Sequence, residues 1–460
     1  MNPVRSLNEA TLKANVALSG ELLRPSDASY EEARRVHNGL VDKRPALIAR
    51  CRSTQDVVEA MKLRRDLGLE VAVRGGGHNV AGRAAIDGGM MIDLSPMKKI
   101  EVDAERRTVR VQAGVNWGEL NRETQRHGLA VTGGVVSTTG VAGLTLGGGL
   151  GWLMGKFGLS LDNLLSAELV DGEGKILRAS GEEEPDLFWA IRGGGGNFGV
   201  VTEFEFQLHA VGPTVTAGPV VHAIDHAREL LMFFREKTAA LPDEHTIFAA
   251  LTHAPDGSGT PVAALANCHC GPLAEGEEAV RPLRQFGSPI LDGIGRVPYS
   301  DVNSALDASF PKGALNYWKS NFLTELSDAA IATIIECFAE CPTAMSQFLL
   351  EHVHGAATRV PSDATAFVHR KEGYNFLVLA QWTEPDATHR CIAWARTTYQ
   401  RMQPFFAAGR YVNYLGDDEV GGSVAAAYGS NYSRLQEIKA RYDPDNIFRM
   451  NQNIQPRAQA

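Results

Sequence analysis

At 460 residues the chain is too long for one ordinary core, so two domains are expected. A hydrophobic content of 44% with 22% charged residues is that of a water-soluble globular protein, and a formal net charge of −9 argues against a nucleic-acid surface. Six cysteines in so long a chain exclude a disulfide scaffold, and with no apolar leader at the N-terminus and no membrane-length run the expectation is a cytoplasmic protein with reduced thiols and no membrane partner.

Residues 1–40 read as polar and helical. Leu47 to Arg50, after Pro45, reads as a short strand. Ser53-Thr54-Gln55-Asp56 is a helix start whose apolar face is Val57, Val58 and Met61 and whose stop is Gly68. A strand-like run, Glu70 to Val73, then breaks into Gly75-Gly76-Gly77, followed at once by His78 and Asn79. Glycines let a ligand approach the backbone, and exposed amides cradle an anion such as a pyrophosphate. By itself this turn is either a nucleotide-cofactor loop with a reactive imidazole or a loop with a surface histidine.

Met90 to Leu94, Ile100 to Asp103 and Thr108 to Gln112 read as strands, and Asn116 to His127 as a helix ended by Gly128. A second glycine cluster runs from Gly133-Gly134 to Gly151, with small apolar residues between. That composition argues for backbone packed closely on something flat or phosphorylated. Leu165 to Val170 and Lys175 to Ala179 form a hairpin across Asp171-Gly172, and Pro185 to Arg192 is a short helix. A third cluster, Gly193-Gly194-Gly195-Gly196-Asn197-Phe198-Gly199, feeds the strand Val200 to Phe206. It contains G-x-G-x-x-G, but a helix precedes it and a strand follows. That is the reverse of a Rossmann turn, so a nicotinamide-dependent dehydrogenase is disfavoured.

From about residue 210 the texture changes. Strand-like runs (Thr246 to Ala250, Pro261 to Asn267, Ser346 to His354, Tyr374 to Trp382) interleave with helices (His226 to Ala240, Ser327 to Ala339, Thr388 to Met402). The pattern predicts an antiparallel sheet with helices on one face. Cys268-His269-Cys270 alternates like a strand, so its two thiols share a face and the imidazole turns away; with no second ligand pair, no metal site is expected. Beyond Tyr411 the chain returns to glycine-punctuated loops and a helix, Tyr428 to Tyr442. Such a tail suits the closing of a site shared by two domains.

Five motifs carry a family resemblance: Arg-Pro-Ala-Leu-Ile-Ala-Arg-Cys (44–51), Val-Arg-Gly-Gly-Gly-His-Asn (73–79), Leu-Gly-Gly-Gly-Leu-Gly-Trp (146–152), Gly-Gly-Asn-Phe-Gly-Val-Val-Thr (195–202) and Tyr-Asp-Pro-Asp-Asn (442–446). Over about residues 40–456 the chain resembles the berberine-bridge-enzyme-like flavin oxidoreductases, within the vanillyl-alcohol-oxidase type of FAD fold. The resemblance implies an α+β fold. A two-part FAD-binding domain of the PCMH type (1–209) would join an α+β substrate domain with a helix-covered antiparallel sheet (210–410), and a C-terminal segment (411–460) would return to the FAD domain.

By the same resemblance His78 bonds covalently to the 8-methyl carbon of FAD. A neutral imidazole is a competent nucleophile for that bond. Many relatives add a second bond from a cysteine in the 134–140 turn; Val136 stands there, so one attachment is expected. The implied cofactor contacts are Arg74, Gly75, Gly76, Gly77, His78, Asn79, Gly133, Gly134, Ser137, Thr138, Gly140, Val141, Gly143, Leu144, Gly147, Gly196, Asn197, Gly199, Val200, Val201, Asn451 and Asn453, with the amides of 74–77 facing the pyrophosphate.

From the residues alone Tyr414 is an amphipathic tyrosine. The resemblance implies the catalytic base; a phenol needs a neighbouring cation to lower its pKa, and Lys319 is the candidate for it. Tyr317, Lys319 and Asn375 are substrate-side candidates, with scaffold roles as their alternative. The activity implied is an FAD-dependent oxidase, taking hydride from a small-molecule alcohol, sugar or cyclic amine, with O2 as acceptor and H2O2 as product. The alternative is a flavin-bearing drug-binding or resistance protein without turnover. A monomer or homodimer is expected.

Overall fold

The computed structural model describes residues 18–323, 325–419 and 421–458. A four-stranded sheet has the order Glu21–Leu23, Leu47–Arg50, Met90–Asp93, Val71–Arg74. Its last three strands are parallel, and the first is antiparallel to its neighbour. Met90–Asp93 is buried at every residue, which is why Met90 to Ile92 is apolar without alternation. The helix Thr54–Asp66 begins where the Ser53 hydroxyl accepts from the Asp56 amide, and it ends before Gly68 at φ +63°.

A five-stranded antiparallel sheet follows, ordered Ile100–Asp103, Thr108–Gln112, Val200–Gln207, Leu164–Val170, Ile176–Ser180. The helix Trp117–Gln125 opens with a capping box between Asn116 and Glu119. Both sheets share one hydrophobic core, and the C-terminal segment contributes Val412, Leu415, Tyr428, Leu435, Ile438, Phe448 and Ile454 to it.

The large antiparallel sheet runs Leu291–Asp292, Thr214–Ala223, Pro261–His269, His245–His253, Gln347–Val353, Gly373–Trp382, Leu315–Leu323, with Gly295–Pro298 also on Thr214–Ala223. The two-residue side-chain period splits it cleanly. Phe348, Leu350, Phe376, Val378 and Ala380 pack against the helices Ala227–Thr238, Asp328–Ala339 and Thr388–Met402. Residues of the other face, such as Leu349 and Phe248, pack with Trp152, Leu153 and Tyr411. No helix among the described residues is long and apolar enough to cross a membrane.

The structure departs from the sequence reading in several places. Residues 1–17 lie outside the described residues, and of 18–40 only Tyr30–Ala33 is α-helical, while Glu21–Leu23 is a strand. The second glycine cluster holds a helix, Val141–Gly147, despite glycine's helix cost of roughly 1 kcal/mol per residue. The strand Leu315–Leu323 is too polar along its length to show an apolar alternation. Thr214–Ala223 and the helix Leu273–Gln285 carry an internal glycine or proline that masks them. Finally, the expected tail helix is α-helical over Tyr432–Tyr442, and an unexpected helix, Gly422–Tyr428, precedes it, the two parted at Gly429 with φ +50°.

The tail is pinned by a buried ion pair. Lys439 and Asp443 are both 0% exposed at their side chains, with Nζ 2.5 Å from Oδ2. Lys439 Nζ also donates to the Asn197 carbonyl at 2.7 Å, and Asp443 accepts from the amides of Ile447 and Phe448. Asp443→Ala leaves that ammonium buried and unpaired. Denaturant unfolding should show a loss of about 3–5 kcal/mol; a loss under about 1 kcal/mol would mean that the pair pins nothing.

Candidate functional site

The three glycine clusters meet at one cavity. Gly76 and Gly140 touch backbone to backbone: a Cβ on Gly76 would stand 2.4 Å from the Gly140 amide nitrogen. The cavity is lined by Gly75, Gly76, Gly77, His78 and Asn79 from the first cluster, Gly134, Gly140, Gly143 and Leu144 from the second, and Gly196, Asn197, Gly199 and Val201 from the third. Asn451 and Gln452 of the tail close one side, and Asn451 Nδ2 donates to the Gly196 carbonyl at 2.7 Å. Asn197 is gripped between the Gly194 and Gln452 carbonyls, at 2.8 and 3.1 Å, and its Oδ1 accepts from Ile454 N.

Several observations fit an extended dinucleotide here. Among the described residues, the amides of Gly76, Gly77 and His78 donate to no protein acceptor. A Cβ added to Gly143 would meet nothing within 4 Å, so that helix turns a bare backbone to the cavity. Gln452 Oε1 is buried with no hydrogen-bond partner. Free amides at a glycine turn suit phosphate oxygens, and the bare helix face suits a flat ring.

His78 stacks on His37 with ring centroids 3.8 Å apart, and its Nε2 lies 2.8 Å from Thr138 Oγ1. Burial, with the His37 ring beside it, draws its pKa down to about 3, so the imidazole is neutral. Val136 lines the cavity nearby.

Opposite, the large sheet presents Glu351. Its Oε2 accepts from Asn375 Nδ2 at 2.7 Å and its Oε1 from the Tyr414 hydroxyl at 3.2 Å. Burial raises its carboxyl to about 7, against the lowering effect of those two donors. Burial and the adjoining carboxylate push the Tyr414 phenol well above its ordinary value. Tyr414 therefore donates, and Glu351 is the group whose proton moves near neutrality.

This corrects the sequence reading of Tyr317 and Lys319; Tyr414 does line the cavity, and its raised phenol favours a donor there over a base. Strand alternation turns Tyr317 and Lys319 to the helix-covered face, and Trp318 between them lines the cavity. Lys319 Nζ pairs with Asp418 at 2.8 Å, and the Tyr317 hydroxyl donates to the same carboxylate at 2.6 Å. Burial works against ionisation of Asp418, but Lys319, Tyr317 and Arg396 outweigh it and hold its pKa at about 2. Lys319 is thus no cation for Tyr414. Asn375 acts through Glu351 and does not line the cavity.

Other expected contacts are framework. Arg74 turns away into a pair with Asp93, Nε to Oδ1 2.9 Å and Nη2 to Oδ2 2.5 Å. The Ser137 hydroxyl is taken by Asp307, and Thr138 meets His78 from outside the cavity. Gly133 is packed against Trp117 and Gly147 against Asn413. Val141 and Val200 are core residues, and Gln452 takes the lining position beside Asn453. The sequence reading missed Glu351, His37, Arg83, Asn413, Gln452 and the wall of Trp318, Leu349, Leu377 and Leu379. For Glu351 a signal was present: a lone acid inside the strand-like run Phe-Leu-Leu-Glu-His-Val.

A family described as FAD binding domain matches residues 45–180, and one described as berberine and berberine like matches 410–455. The (R)-6-hydroxynicotine oxidase of Paenarthrobacter nicotinovorans is 32% identical over 97% of this chain and 98% of its own. The crystal structure of 6-hydroxy-D-nicotine oxidase from Arthrobacter nicotinovorans superposes with a TM-score of 0.88 at 30% identity, covering 96% of this chain and 99% of that one. A chitooligosaccharide oxidase structure superposes with a TM-score of 0.85 at 25% identity, covering 99% and 100%.

Two glycines separate fold from cofactor. Gly143→Ala, favoured in a helix by roughly 1 kcal/mol, should fold and carry less flavin, because its methyl enters the cavity. Gly76→Ala should not yield folded protein, because the second methyl strikes backbone. Absorbance per mole of purified protein checks both; full flavin in Gly143→Ala would remove that helix face from the cofactor site.

Proposed function

The chain belongs to the berberine-bridge-enzyme-like FAD-linked oxidoreductases, and from that premise we propose that it is an oxidase in which Glu351 takes the proton from a substrate O–H or N–H. Bound FAD supplies the two-electron acceptor for the hydride, with O2 as its reoxidant and H2O2 as product. The observation that carries this reading is the buried Glu351 carboxyl, poised near pH 7 and held by Tyr414 and Asn375. A base tuned to the working pH has both the free carboxylate and the driving force to accept a proton.

Tyr414 and Asn375 orient the carboxylate. The leucines at 349, 377 and 379 keep water from it and so maintain its raised pKa. His78 is the proposed attachment point of FAD, supported by its neutral ring at the cavity wall; Val136, in place of a thiol, limits attachment to one bond. The gathering of 412–454 into the core of the first two sheets supports a two-domain division with a returning C-terminal segment.

Glu351→Gln keeps the shape and removes the base. Stopped-flow flavin reduction should slow by about 10²–10⁴-fold. In the wild type the rate should rise with pH through about 7, because the carboxyl must lose its proton to act. Asn375→Ala, which removes a donor to the carboxylate, should move that limb to higher pH. An unchanged rate in Glu351→Gln would refute the assignment. For the attachment, acid-precipitated wild type should stay yellow and His78→Ala should release its flavin; release from the wild type would refute a covalent bond.

A further inference from the structure

The cavity face of the large sheet is polar at one end and, apart from Gln347 and Ser320, apolar beyond it. Cross-strand register sets Glu351 beside Asn375, Leu349 beside Leu377, and Gln347 beside Leu379, with Leu379 also beside Trp318. Successive same-face rows are roughly 7 Å apart. A substrate whose reacting O–H or N–H meets Glu351 therefore lays its body on leucine and then tryptophan. Saccharides carry hydroxyls along their whole length and would leave them unpaired on this strip.

Arg83 marks the far end. It lines the same cavity, and its Nε is buried with no hydrogen-bond partner. Among the described residues no carboxylate lies within ion-pair distance of it; Asp417 acts on it only from further away. Lys43 adds like charge beside it while holding the turn through the carbonyls of Gly82 and Ala85. Asn38 ties that turn to the Trp318 end of the strip, donating to the carbonyls of Val80 and Asn316 at 2.8 and 2.9 Å. A half-buried guanidinium without a counter-charge is costly unless a ligand supplies one.

We propose that Arg83 is the anion-binding end of the substrate site. The substrate is then an alcohol or amine with an apolar body and a carboxylate, or similar anion, remote from the carbon that is oxidised. This rests on Glu351 as the proton acceptor. The same anionic chemistry exists in the phosphates of FAD, so the test separates the two sources.

Anaerobic holoenzyme is titrated with naphthylmethanol and naphthylmethylamine, each with and without a ring carboxylate remote from the reacting carbon, and with cellobiose. Binding is read as perturbation of the flavin spectrum, in the wild type and in Arg83→Met. A carboxylated probe should bind about tenfold to a hundredfold tighter than its neutral counterpart. Arg83→Met should erase that preference and keep its full FAD content. Equal binding with and without the carboxylate, tighter binding of cellobiose, no binding by any arene, or a preference surviving in Arg83→Met overturns the proposal. So does loss of FAD from Arg83→Met, which would give the guanidinium to the cofactor. Should the methionine variant fail to fold, the wild-type comparison decides alone. Glu351→Gln should keep the carboxylate preference while losing reduction, so reduction at the wild-type rate refutes the base and not Arg83.

Discussion

The backbone contact between Gly76 and Gly140 is the constraint on which the site depends. The turn after the strand Val71–Arg74 and the residue capping the helix Val141–Gly147 can approach this closely only where neither carries a Cβ. Their approach sets His78 against the 134–140 turn and leaves a channel whose walls are amides and bare helix. The tail then clamps the third cluster through Asn197, Asn451 and the buried Lys439–Asp443 pair. Rigidity is bought by this geometry before any ligand is bound, so the cavity needs little reorganisation to receive one.

Against that channel the large sheet sets one ionisable group in an apolar wall. Desolvation raises Glu351 and two neutral donors partly oppose it, leaving the carboxyl close to neutrality. The same wall that tunes the acid selects what can lie beside it. In the proposed function catalysis and specificity follow from one arrangement, a polar row at Glu351 and Asn375 with mainly apolar rows beyond.

Much of this was legible in the sequence. The strands Leu47–Arg50, Ile100–Asp103 and Thr108–Gln112 and the helix Thr388–Met402 fall where periodicity and turn residues place them. That the glycine clusters, His78 and Val136 border one cavity was likewise readable, because glycine runs and a motif histidine are local signals. Glu351 was missed and Lys319 misplaced for one reason: which face of a strand looks into a cavity is set by packing against helices distant in sequence. Tyr317 and Lys319 have the right chemistry on the wrong face, and Arg83 gave no local sign of lacking a partner. The helix Val141–Gly147 was hidden by glycines whose low propensity is outweighed by tertiary packing.

The central claim is that Glu351 titrates near neutrality inside the site. Infrared difference spectroscopy of the holoenzyme across a pH titration reads it directly. A protonated-carboxyl carbonyl band should disappear with a midpoint at about 7 and be missing from Glu351→Gln. A band lost near the ordinary glutamate value, or one that persists in Glu351→Gln, would contradict that claim.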